Sequence, residues 1–446
     1  MPPAPLYIHA VSDHLDTGFA TAHLSLAMAY GAIAEQGRAF AAGQHAFANQ
    51  HRLPFLERSF LVGGHAYGTS DYATAIDVYT RVVERYPDNV PAMNNLALAY
   101  RDSRQHAEAE SLFRSAAAAD STIANLYFGI HTTQMLQGEF AESRRTLDLI
   151  GRRFPDNPVL LTVEIQDAAA RQDWEAAERH ARARIAAAED DTLQLVDPFE
   201  ALAGIAMTQG RFAEAERHWR TQLALSAAAG SRGRHLFGVM QLANLELRYR
   251  NAPARALTLV DSALARFPLD SILPGDRPYY ELARFYAAAG RVSGPRGLLA
   301  AAEANDRSLN RNLKAERSWT RGVLELAEGN AARAEAELRQ AAATHICEIC
   351  PLPDMARAHE ASGNSRAAVT AYERYVTAPW LWRYEPDAVE LGWAMKRLAE
   401  LYDQLGENAK AAAVSARLLR LWRRGDPELQ AEIADVQWRL SSEEAR

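Results

Sequence analysis

The chain has 446 residues, with 49 lysines and arginines against 56 aspartates and glutamates, and a net charge of −7. No basic block marks the footprint of a phosphate backbone, so nucleic acid is excluded as the expected partner. A hydrophobic content of 48% excludes wholesale disorder, and the length exceeds what one compact core fills, which points to several domains or to a repeat array.

Alanine, leucine, arginine and glutamate dominate while Val, Ile and Thr are sparse, so the expected fold is all-α. Lys314, Lys396 and Lys410 are the only lysines, which reads as codon bias. Met1-Pro2-Pro3-Ala4-Pro5 does not lead into a continuous apolar run, so no secretory signal is read there, and no apolar stretch reaches the ~20 residues of a membrane span. Two cysteines cannot form a disulfide framework, which suits a reducing compartment and a cytoplasmic location.

In chain order, residues 6–15 have the pattern of a second helix without its first, so residues 1–19 are expected to be a partial repeat and the chain to begin within an array. A hairpin near 20–53 follows, and then a 34-residue period appears. Ala75 and Ala109 are 34 apart, as are Tyr79 and Phe113, and Pro87 and Pro155 are separated by twice that. The period predicts units over 56–89, 90–123 and 124–157. It returns late, where Gly329 and Gly363, Ala334 and Ala368, and Leu338 and Tyr372 are 34 apart.

Turn segments such as Asp71-Tyr72-Ala73-Thr74-Ala75, Asp173-Trp174-Glu175-Ala176-Ala177 and Arg211-Phe212-Ala213-Glu214-Ala215 place an aromatic at a fixed offset before a small residue. Helices approach closely only where small side chains face each other, so Ala75, Ala109 and Ala215 are expected at those contacts, with the aromatic filling the space beside them. Gly138, Gly210, Gly290, Gly329, Gly363 and Gly406 are expected to end first helices in a left-handed conformation. Pro87, Pro155 and Pro268 follow second helices, which they stop. Less regular hairpins are expected near 158–190, 196–230, 239–268, 276–306 and 392–424. Linkers at 187–197, 228–236, 269–277 and 377–390 stretch the spacing.

Met93, Leu96, Ala97, Tyr100, Ala109, Phe113 and Ala116 resemble the consensus of the tetratricopeptide (TPR) family. The resemblance implies a right-handed α-solenoid of about ten hairpins over nearly the whole chain. Its expected division is a first array at 20–190, irregular units at 191–306, a last array at 307–425 and a C-terminal capping helix at 426–446, started by Asp426-Pro427-Glu428. The implied function is a non-catalytic scaffold or sensor that holds a protein or peptide in a concave groove lined by first helices. Candidate groove residues are Phe60 and Tyr67 on one unit, Asn94, Asn95, Leu98 and Arg101 on the next, and Phe128 and Met135 on the third. A clamp for acidic C-terminal peptides needs lysines or arginines on adjacent units. Only Asn95 and Arg101 fit it here, so an extended or helical segment with apolar anchors fits better.

Three later segments, Cys347-Glu348-Ile349-Cys350-Pro351-Leu352-Pro353-Asp354-Met355-Ala356-Arg357-Ala358, Ala371-Tyr372-Glu373-Arg374-Tyr375 and Leu421-Trp422-Arg423-Arg424-Gly425-Asp426-Pro427-Glu428-Leu429-Gln430, resemble the C-terminal repeat region of bacterial serine/threonine protein kinases. That resemblance implies the detached regulatory tail of a signalling system, and an extracytoplasmic position if the tail is normally attached to a membrane-anchored kinase. The kinase domain itself is absent, with no Gly-rich loop before a strand lysine, no His-Arg-Asp and no Asp-Phe-Gly.

His345, Cys347 and Cys350 form the one motif with chemical potential, since a C-x-x-C pair can pack, close a reversible disulfide or chelate zinc. A second C-x-x-C is missing, so no cofactor or metal is assigned, and if one cysteine reacts it is Cys350, nearer the helix start. Trp380, Trp382, Tyr384 and Trp393 crowd a long connection, where packing is favoured over ligand anchoring. No nucleophile elbow, phosphate loop or zinc-protease motif occurs, and the carboxylates mostly alternate with arginine on helix faces, so no catalytic residue is assigned.

Overall fold

The computed structural model describes residues 20–32, 36–157, 159–188, 192–291, 293–309 and 311–444. The partial repeat expected at 1–19 lies outside them. The fold is all-α, with 23 α-helices, short 3-10 turns and no strand among the described residues. The described residues form two compact units, one from within 20–155, 269–277 and 301–313, the other from within 156–268, 278–300 and 314–444.

The first unit holds α1 (Ala20–Ala32), α2 (Gln36–Ala48), α3 (Phe55–Gly68), α4 (Tyr72–Arg85), α5 (Val90–Asp102), α6 (His106–Ala119), α7 (Ala124–Gln137) and α8 (Phe140–Arg153). The second begins with α9 (Leu160–Ala170), α10 (Trp174–Ala187), α11 (Thr192–Thr208), α12 (Phe212–Ala228), α13 (Arg232–Arg248), α14 (Pro253–Arg266) and α15 (Tyr279–Ala288). Helix α16 (Pro295–Ser308) runs across the division between units. The second unit then continues through α17 (Lys314–Ala327), α18 (Ala331–Thr344), α19 (Leu352–Ala361), α20 (Ser365–Thr377), α21 (Pro386–Gln404), α22 (Asn408–Leu421) and α23 (Gln430–Glu444).

Short polar turns join the helices into hairpins, and side-chain caps start several second helices. Asp71 accepts from the Thr74 N–H (3.2 Å), Asp173 from Ala176 (3.0 Å) and Asn364 from Ala367 (3.1 Å). Ala75, Ala109 and Ala215 are all fully buried, as are Phe113 and, nearly so, Tyr79. Burying each such ring contributes roughly 1.5–3 kcal/mol. Trp174 and Phe212 fill the space beside the alanine contacts, whereas Phe140 at the same offset is 37% exposed.

All six glycines expected to end first helices have positive φ. Four residues that are not glycine do the same work: Ser70, Arg104, Gln172 and Asn251 have φ of 62°, 67°, 58° and 48°. Residues 70, 104, 138 and 172 are therefore 34 apart in a single left-handed series, and the strict register extends one hairpin further than the glycines alone reveal. Two expected linkers are shorter than read, because helix begins at Thr192 and at Arg232. Helices α11, α12 and α13 have 17 residues each, so longer helices, rather than longer loops, stretch the period there.

In a simple array each hairpin touches only its neighbours. The second unit departs from that: its last helices return to its first ones. Helix α21 packs on α11. The Gln172 side chain donates to the Val376 carbonyl (3.1 Å), the Asp426 N–H donates to Gly210 O (2.9 Å), and Asp426 Oδ2 accepts from the Ala213 N–H (2.6 Å). Arg250 pairs with Glu428 at 2.9 Å. The connection 378–385 is wedged into this seam, where Trp380 and Tyr384, each only 8% exposed, are packing, while Trp382 and Trp393 are half-buried. Helix α23 lies against α22.

Candidate functional site

The candidate site lies in the first unit, on the faces of α3 and α5. Ala66, Ala75, Tyr79, Leu96 and Ala99 form the core beneath it, with Phe60, Tyr67 and Tyr100 packed on top. Phe60 meets Tyr79 edge-on at 5.8 Å. The Tyr79 hydroxyl donates to the Phe60 carbonyl (3.4 Å) and accepts from Asn95 Nδ2 (3.2 Å), while Asn94 Nδ2 donates to Asn95 Oδ1 (3.3 Å). Burial pushes the Tyr79 hydroxyl up to about 12, against the Asn95 donation, so it stays a protonated donor at any physiological pH.

Phe60, Tyr67, Asn94, Asn95, Leu98 and Arg101 are all half-buried. Besides the two asparagines, Arg101 and Tyr67 are already engaged. Arg101 Nε donates to Asp102 at 2.7 Å, and the Tyr67 hydroxyl donates to the other oxygen of the same carboxylate. Burial and the Asp102 charge raise the Tyr67 hydroxyl far above its ordinary value. Arg101 therefore has its charge compensated by its own neighbour, which removes the one cation of the acidic-peptide clamp.

Phe128 and Met135 differ from the expectation. Phe128 is 6% exposed and Met135 0%, because every residue of α7 from Leu126 to Met135 is buried. A helix enclosed on all faces has no groove side, and Met135 Sδ accepts from the Ser143 hydroxyl at 2.9 Å instead. Sequence reasoning could have suspected this, since Ala124–Gln137 has no charged residue on any face.

A recess of roughly 510 Å³ opens beside Phe60, Leu61, Tyr79 and Asn95. Leu24 and Ala27 of α1 also line it, as do Asp276 and Arg311. Sequence reasoning missed these last four, which lie outside the three regular units. Distant segments meet here: the Asn312 N–H donates to Thr69 O (3.0 Å), Gln44 Nε2 to Leu309 O (2.6 Å), and Arg311 Nη1 to Gly275 O (2.9 Å). The size suits a ligand or a cluster of side chains, and apolar walls with a few polar groups are the usual make-up of binding pockets.

The second unit carries a different cluster, around the start of α21. Gln222 Nε2 donates to Glu200 at 2.9 Å, and Asp197 pairs with Arg234 and, at 3.5 Å, with Arg184. Glu385 is exposed as a residue, but desolvation of its carboxyl, with Glu200 and Asp197 adding to it and Arg234 opposing, raises it to about 8. Glu200 rises to about 7, first by burial, with Arg234 opposing and Asp197 adding. Both carboxyls release their protons at a higher pH in the fold than in the unfolded chain. The fold then binds more protons than the unfolded chain from the ordinary carboxyl range up to about 8, so stability falls as pH rises through that window and levels off above it. Thermal unfolding between pH 5 and pH 8.5 should show the midpoint of the native chain falling relative to Glu385→Gln; parallel curves would refute the assignment.

Cys347 and Cys350 are joined by a disulfide in the turn between α18 and α19, with His345 beside them. Bonded to each other, the sulfurs do not present the thiolate pair that zinc needs, and no group of three metal-ligating side chains occurs among the described residues.

Residues 66–127 match the tetratricopeptide repeat family, over α4, α5 and α6 and their flanks. The matched segment includes the left-handed turns at Ser70 and Arg104. Solved structures similar to it include yeast Tom70 (13% identity, TM-score 0.38, covering 86% of this chain and 94% of that one). A tetratricopeptide repeat protein from Parabacteroides merdae is also similar (14%, 0.33, 68% and 98%), as is the structure of Naa15/Naa10 bound to HypK-THB (13%, 0.25, 97% and 77%). No curated protein matches the sequence. No described helix is long and apolar enough to cross a membrane.

Proposed function

We propose that the chain is a non-catalytic binding protein that holds a polypeptide segment on the α3–α5 face of its first unit, with an apolar side chain of the partner seated in the recess beside Phe60. The observation that carries this is a recess of roughly 510 Å³ whose mostly apolar lining also holds Asn95, Asp276 and Arg311, polar groups of the kind that can meet a peptide backbone. Phe60 and Leu24 supply the apolar anchor contacts, and Asn95 fixes the Tyr79 hydroxyl beneath them. Partner specificity in such proteins resides in a few side chains of the groove and not in the fold. The regulatory role implied by the kinase-tail resemblance rests on the sequence segments alone, and so does the placement in a signalling system.

Peptides selected by display against the full chain provide the test. Phe60→Ala and Asn95→Ala should each weaken the selected peptides by about tenfold or more, the size of a ~1.4 kcal/mol hot-spot loss, with helicity unchanged. Undiminished binding by both variants would place the interaction elsewhere.

A further inference from the structure

The pair Cys347–Cys350 lies outside the face just described. The turn that carries it is held by groups other than sulfur. His345 Nδ1 accepts from the Cys347 N–H at 3.0 Å, and its Nε2–H donates to Glu316 at 2.7 Å. Glu316 is paired in turn with Arg284 at 2.7 Å, whose guanidinium stacks over Trp319, and Trp319 meets the His345 ring edge-on at 5.4 Å. Burial pushes the Glu316 carboxyl up, but Arg284 and His345 outweigh it and hold it well below the usual range, so this buried charge is satisfied. Ile349 is 1% exposed and anchors the turn from inside, and Glu348 pairs with Arg374 of α20 at 2.9 Å.

A bridge that closes so short a loop removes little entropy from the unfolded chain, so it contributes less to stability than almost any other placement of two cysteines. The two sulfurs also differ in access. Cys347 is 4% exposed, whereas Cys350 is half-buried, next to a turn whose Ile346 is 43% exposed. The Cys350 N–H donates to Cys347 Sγ at 3.2 Å, and a backbone donor aimed at that sulfur favours its thiolate. One sulfur is reachable, and the other is equipped to leave.

We propose that Cys347–Cys350 is an exchangeable disulfide in which a low-molecular-weight thiol attacks Cys350 and Cys347 is the leaving group. The attacking thiolate bonds to Cys350 Sγ, and the electron pair of the broken S–S bond passes to Cys347 Sγ, which takes up a proton. A second thiol then attacks the small-molecule sulfur of the mixed disulfide, releases Cys350 as a thiol and leaves as the oxidised small-molecule disulfide. The protein gains two electrons and two protons, and two thiols become one disulfide. Because the His345 and Glu316 contacts hold the turn without the S–S bond, the thiols stay adjacent and the bond re-forms when the thiol pool is oxidised.

The full chain, with no other cysteine, can be equilibrated in glutathione buffers from mostly oxidised to about 10 mM reduced, quenched in acid and counted for thiols by maleimide mass shift. The expected result is a reversible passage from zero to two thiols with an unchanged far-ultraviolet spectrum. A bond that resists the most reducing buffer, or two thiols that never close in the most oxidising one, would overturn the proposal. The single variants assign the order of attack: with oxidised glutathione, Cys347→Ser should form a mixed disulfide on Cys350 about tenfold faster than Cys350→Ser does on Cys347. Equal rates would overturn the assignment to Cys350, and brief trapping of the native chain at low glutathione provides the same readout without a substitution.

Discussion

Replacing Asp387 by alanine lowers the stability of the second unit by about 3–5 kcal/mol, the range for a buried ion pair that loses one member. Arg383 and Asp387 are both wholly buried. Arg383 Nε donates to Asp387 Oδ2 at 2.7 Å and Nη2 to Oδ1 at 3.0 Å, while Nη2 also donates to the Tyr375 carbonyl and the Tyr375 hydroxyl donates to Asp387 (2.9 Å each). Alanine leaves a guanidinium and a hydroxyl in the interior with no carboxylate, whereas a joint exchange of Arg383 to Met and Asp387 to Leu removes both charges and should recover most of the loss. Denaturant unfolding followed by near-ultraviolet circular dichroism measures both. A single-variant loss under about 1 kcal/mol would mean that water reaches the pair.

Gly204→Ala should cost about 3 kcal/mol, the upper end of the usual overpacking range, because the obstacle is backbone. A β-carbon on Gly204 would lie 2.1 Å from the Tyr384 carbonyl oxygen, so α11 and the connection 378–385 must separate. The same separation should open the connection to proteases, which the native chain should resist there. Limited proteolysis followed by mass spectrometry reads it directly, and a Gly204→Ala chain with native stability and the native cleavage pattern would disprove the close approach.

The hairpins were legible because their signal is local. Ala75, Ala109 and Phe113 mark packing within a hairpin or onto the next one, the turn glycines mark left-handed backbone, and both kinds of signal recur at a nearly fixed spacing. The left-handed Ser70, Arg104 and Gln172 escaped notice because the turn imposes the conformation and the side chain does not advertise it. The return of α21 onto α11 was equally hidden, since Gly204 reads as one small residue among many until Tyr384, 180 positions later, is laid on it. For the candidate site, the half proposed from α3 and α5 followed from periodicity. The half made by Leu24, Asp276 and Arg311 depends on segments that no repeat rule places, and the enclosure of Phe128 and Met135 is a property of the neighbours of α7.

Repeat arrays change length in evolution by duplicating or losing a hairpin, and they survive because every copy fits next to any other. The second unit has given up that freedom. The contacts of Asp426 with Gly210 and Ala213, and of Gln172 with Val376, each join points more than two hundred residues apart. An additional hairpin between them would carry one partner away from the other. Copy number in this half is thus fixed by closure, and its divergence is confined to substitution and to changes within loops.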